Sequence, residues 1–128
     1  MTDRRDLDPA FRHVRLELAR EKGHPDGAAG DGYDIMAPLN AAGRLDAQIW
    51  KTRQDHCRVR RFRPGEEDRI GRLRRKPGGS WYFDFAEGDA DDEGGFRLGA
   101  ERFVPGEYVS VQSGRVMHTY RITRVAVP

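Results

Sequence analysis

Between positions 58 and 85 the hydrophobic and polar residues of this chain alternate with a two-residue rhythm. The stretch reads RVRRFRPGEEDRIGRLRRKPGGSWYFDF. Two turn signals, Pro64-Gly65 and Pro77-Gly78-Gly79, cut it into three strand-length pieces. In the last piece Trp81, Phe83 and Phe85 share one face, and Tyr82 and Asp84 share the other. This spacing predicts a β-meander whose aromatic side supplies the core. In the first piece Val59 points inward with Cys57, which turns Arg58, Arg60 and Phe62 outward. In the second, Leu73 inward turns Arg72 and Arg74 outward. The odd separation of Ile70 and Leu73 predicts a bulge at Gly71.

The remaining chain shows the same rhythm in shorter runs. Residues 1–10 alternate Asp and Arg and read as a flexible N-terminal tail. His13 to Arg20 is a strand with Val14, Leu16 and Leu18 on one face. Gly23 to Gly32 reads as a long loop, because it holds little but small residues. Tyr33 to Leu39 is a second strand, and Asn40 to Gly43 a turn. Asp46 is placed to cap a helix of about ten residues, roughly 15 Å long. Leu45 and Trp50 have the spacing of a hydrophobic staple. Ile49, Trp50, Arg53 and Cys57 form a narrow stripe. An acidic loop, Glu87 to Gly95, precedes a short strand at Phe96 and Leu98. Val109 and Val111 face inward in a strand from Glu107 to Gln112. Ser113-Gly114 turns the chain into the longest strand, Arg115 to Val125, with Val116, His118, Tyr120 and Ile122 on one face.

Short strands with turns every eight to twelve residues predict a mainly β fold. The expected form is a small antiparallel β-barrel or rolled sheet of seven or eight strands with one short helix. An α+β arrangement, with the helix packed on one sheet face, is the alternative. Residues 11–128 form a single domain in this reading.

Composition agrees. The chain has 128 residues, 34% charged and 37% hydrophobic, so its core must be thin. Fifteen glycines and seven prolines imply many turns. No run has the length of a membrane span, and the start has no apolar leader. Cys57 is the single cysteine, so no internal disulfide forms. These features lead us to expect a cytoplasmic protein.

Charge adds an asymmetry that the net value of +2 hides. Lys51 to Lys76 holds eleven basic residues against four acids, and Asp84 to Glu93 holds six acids and no base. Arg58, Arg60, Arg72 and Arg74 share the outer face of the meander with Phe62 and Tyr82. Guanidinium groups neutralise phosphates, and exposed rings stack on bases. The expected function is a non-catalytic binding module for an anionic partner, either single-stranded RNA or an acidic protein. The plainer account is a solvated face whose arginines pair with Glu66, Glu67, Asp68 and the acidic loop.

Other constellations are weaker. Asp89 to Phe96 matches part of a calcium-loop pattern, but Ala100 stands where a bidentate Glu belongs. Asp55-His56-Cys57 suggests a nucleophile or metal site, yet adjacent helical residues do not face each other. His118 lies on an apolar face. An enzymatic or small-molecule-binding barrel would have its cavity near His118 and Tyr120. A protein-interaction or structural domain is the third reading. No catalytic signature, metal-ligand spacing or cofactor fingerprint appears.

The segments HVRLELAREKGHPDG, GYDIMAPL, FRPGEEDRIGRL, RRKPGGSWYFDF and RFVPGEYVSV resemble those of short bacterial proteins of unknown function. That resemblance implies no activity, cofactor or site residue. The run from Phe103 to Val109 is also similar to the start of a strand in small SH3-like or PUA-like barrels.

Overall fold

The computed structural model describes residues 7–21, 25–85, 93–96, 98–113 and 115–128. Among these residues eight strands form: β1 (Phe11–Leu18), β2 (Ala28–Pro38), β3 (Arg58–Phe62), β4 (Arg69–Arg75), β5 (Trp81–Phe85), β6 (Glu93–Phe96), β7 (Tyr108–Ser113) and β8 (Val116–Ala126). One short helix, α1 (Ala47–Thr52), lies between β2 and β3. Each strand pairs antiparallel with the next, and β8 returns to β1, which closes the sheet into a barrel. The alternative of a helix on one face of an open sheet is not what forms. An eight-stranded barrel of this kind has an interior that side chains alone can fill.

The two-residue rhythm sets that interior. Trp81, Phe83 and Phe85 are all buried, as are Val59 and Leu73 on the neighbouring strands. Val14, Leu16, Tyr33, Ile35, Val109, Val111, Tyr120 and Ile122 are buried with them. The Tyr33 ring packs at 5.0 Å from Phe83 and 5.1 Å from Tyr120. Burying each large aromatic contributes about 1.5–3 kcal/mol, so this small cluster carries much of the fold.

Asp46 caps α1 as its position suggests, accepting from the N–H groups of Gln48 and Ile49 at 3.1 Å. The helix is six residues long and not ten. Arg53 leaves helical geometry at φ −135°, and a 3-10 turn, Gln54–His56, carries the chain into β3. This tightening delivers Cys57 to the core and leaves Arg53 exposed, so the stripe is broken. Trp50 packs edge-on against Trp81 at 5.2 Å and donates its indole N–H to the Leu73 carbonyl at 2.8 Å.

Four expectations are corrected by the register. There is no bulge at Gly71, because β4 pairs without a shift on both sides. Ile70 simply points outward, and Gly71 takes the inward position. A Cβ there would stand 2.8 Å from the Phe85 ring and 2.4 Å from the Asp84 carbonyl. The loop from Gly23 to Gly32 is shorter than expected, since β2 begins at Ala28. Gly32 is a strand residue because the Leu16 carbonyl occupies the space of a side chain. The strand expected at Phe96 and Leu98 lies at Glu93–Phe96 instead. In β8, Val116 is exposed and His118 only half-buried, because that end of the strand reaches the barrel rim. Opposite Arg15 and Leu16, β8 carries one extra residue, Thr123. That bulge reverses the alternation, so Val125 packs against the core.

Residues 1–6 of the expected tail lie outside the described residues. Leu7 packs against the core, and the Asp8 side chain accepts from the Ala10 N–H at 2.9 Å where the chain turns into β1. No helix among the described residues is long and apolar enough to cross a membrane.

Candidate functional site

The outer face of β2 to β5 is a grid set by strand pairing. Asp34, Arg60 and Ile70 form one row, and Arg58, Arg72 and Asp84 form the next. Arg74 pairs with Tyr82 in the third. Five of the six residues expected on this surface therefore do lie side by side on β3, β4 and β5.

Their electrostatic states differ. Asp34 is the hub of the first row. It accepts from Arg60 Nε at 3.0 Å and Arg15 Nη1 at 3.4 Å, and lies 3.2 Å from His13 Nε2. Arg60 also reaches Asp68 at 2.9 Å. The hydrogen bond to Asp34 raises the Arg60 pKa above the ordinary guanidinium value and fixes its charge. Phe62 lies on the outer side but only 8% exposed, beneath the guanidinium groups of Arg15 at 4.3 Å and Arg60 at 5.2 Å. It is not an open stacking platform, because those two cations already occupy its π-face. In the third row Arg74 bonds Asp84 at 2.6 Å, and Lys76 Nζ stands 5.3 Å from the Tyr82 ring centre.

Arg58 and Arg72 are different. They face each other directly across β3 and β4, both exposed. Among the described residues neither has a hydrogen bond or ion pair. An open cleft of about 280 Å³ runs beside them, lined by Arg58, Ile70, Gly71, Arg72, Arg74 and Asp84. Like charges placed opposite one another destabilise a sheet pair. An anion seated between them would convert that repulsion into attraction. The acidic loop expected to screen them, 87–93, lies outside the described residues except for the backbone of Glu93.

His118 and Tyr120 lie in different surroundings. Tyr120 is packed in the core against Tyr33, while His118 Nδ1 lies at the rim, 3.0 Å from Glu21 Oε2. Burial, helped by Asp55, pushes the Cys57 thiol up to about 12, which disfavours the thiolate that a nucleophile needs. No group of three or more metal-ligating side chains occurs among the described residues. Half of the calcium-like stretch, positions 89–92, lies outside them.

One charged group went unremarked in the sequence. Arg61 points into the barrel, 5% exposed. Its Nη1 donates to Asp31 at 2.6 Å, to the Gly32 carbonyl at 3.1 Å and to the Phe62 carbonyl at 3.0 Å. Its guanidinium lies 4.7 Å from the Tyr33 ring and 5.9 Å from that of Tyr120. Burial works against its charge, but the tyrosines and Asp31 outweigh that and raise its pKa. The signal was present, since Arg61 shares the parity of Val59.

No family model, curated protein or solved structure matches the chain. The resemblances noted in the sequence therefore assign no family.

Proposed function

We propose that the protein is a binding module that takes an anionic partner at the cleft on β3, β4 and β5. One observation carries this reading: Arg58 and Arg72 oppose each other on adjacent strands, and among the described residues neither has a hydrogen bond or ion pair. Every other arginine of the grid has a partner. Arg60 is held by Asp34 and Asp68, and Arg74 by Asp84. Two planar forks aimed at one open cleft suit a carboxylate or phosphate, which each can engage through parallel N–H bonds. The reading also places the protein in the cytoplasm, supported by its lone, buried, free cysteine.

Retention on immobilised heparin tests this reading. Arg58→Ala with Arg72→Ala should elute at lower salt than the parent. Arg121→Ala with Arg124→Ala, which removes the same charge from exposed positions on β8, should elute later than the cleft variant. Equal elution of the two variants would leave only a net-charge effect and refute the site.

A further inference from the structure

We infer that the cleft receives a short acidic segment of polypeptide in which a carboxylate lies next to an apolar side chain. This rests on the anion-binding reading above and specifies its partner. The deciding residue is Ile70, which is 54% exposed and lines the same cleft as Arg58 and Arg72. It sits two positions before Arg72 on β4, and directly opposite Arg60. Arg60 is bound to Asp34 and Asp68, so it does not cover Ile70 with a free guanidinium. The cleft therefore presents two cations that are unpaired among the described residues and one aliphatic surface side by side.

A nucleic acid matches this arrangement poorly. Sequence-tolerant binding of single strands relies on aromatic faces for the bases. Of the two outward rings, Phe62 is covered by Arg15 and Arg60, and Tyr82 has Lys76 above it. Asp84 also lines the cleft. Its Oδ2 is held by Arg74. Its carboxylate can accept from a peptide N–H, a donor that a phosphate backbone does not offer. A polypeptide brings all three complements: a carboxylate for the arginines, an aliphatic or aromatic side chain for Ile70, and N–H donors.

The spacing follows from strand geometry. Two residues along a strand span about 7 Å. An extended ligand meets both features with its carboxylate and apolar residue two positions apart.

The probe is a fluorescein-labelled peptide with a central Leu, Glu two positions to either side, and Gly and Ser elsewhere. Comparators are the same peptide with Ala for Leu, and a uridine oligonucleotide of similar length. Binding is followed by fluorescence anisotropy at low and moderate salt. The Leu peptide should bind about five- to tenfold tighter than the Ala peptide, the effect of burying part of one aliphatic side chain. Ile70→Ser should abolish that difference and leave the Ala peptide unaffected. Ile70 is on the surface, so thermal melting of the variant should match the parent. Equal affinity for the two peptides, or tighter Arg58-dependent binding of the oligonucleotide, overturns the polypeptide assignment and leaves the anion site standing. Binding of none of the three probes overturns both.

Discussion

Arg61 and Phe62 are neighbours that occupy the places their chemistry would assign to each other. The guanidinium is inside the barrel and the phenyl ring outside it. Strand parity forces this, because Val59 must face the core and Arg61 follows two positions later. The barrel compensates with a carboxylate, two carbonyls and two aromatic faces, and the ring is shielded by two arginines. Removing half of a buried pair is expensive. Arg61→Ala should cost about 3–5 kcal/mol in urea unfolding, since it strips Asp31 of its main partner. Replacing both groups, Arg61→Met with Asp31→Asn, should recover most of that loss. The sequence assigns the parity correctly but hides the consequence, because a run of arginines looks like a solvated surface. Cys57 gives a second prediction at this scale. With its thiol raised from 9.0 to about 12, it binds its proton more tightly folded than unfolded. Between those values the unfolded chain releases the proton first, so stability falls as pH rises through that window. Below it the group has no such effect. A pH series of thermal melts checks the slope, and alkylation at pH 8 should proceed only as fast as the chain unfolds.

At the scale of strands, alternation was legible wherever a side chain marked it. Trp81, Phe83 and Phe85 are inward, as are Val14, Leu16 and Leu18. Errors occurred where glycine took the place of a side chain. Gly32 reads as loop and Gly71 as a bulge, yet both are strand residues, Gly71 in unbroken register and Gly32 beside the register shift at Glu17 and Leu18. Each lies where another backbone or ring comes too close for a Cβ. Sequence alone does not distinguish a glycine that bends a strand from one that admits a neighbour. The two cases differ in the laboratory. Gly71→Ala should destabilise by about 1–3 kcal/mol, because it overpacks against Phe85 and the Asp84 carbonyl. A thermal melt unchanged from the parent would place Gly71 away from that contact. The helix was legible in its start and not in its length. Its cap is local chemistry, but its end depends on where Cys57 must enter the core.

For the whole molecule, the fold class could be read from turn frequency and periodicity. Closure could not, since pairing of β1 with β8 joins the two ends of the chain and leaves no local mark. The candidate surface was legible as a row of arginines. Which of them are already neutralised depends on Asp34, Asp68 and Asp84, whose positions follow from register. The ring is also uneven. Among the described residues β1 makes eight register pairs with β2 and six with β8, whereas β5 and β6 share two, Tyr82 with Gly94 and Phe83 with Glu93. The barrel should loosen first at that join. Amide protons there should exchange with deuterium sooner than those of β1, and uniform protection around the ring would contradict it. An opened join bares two raw strand borders, each a template for another chain. Warmed samples at high concentration should therefore build edge-to-edge oligomers before they melt.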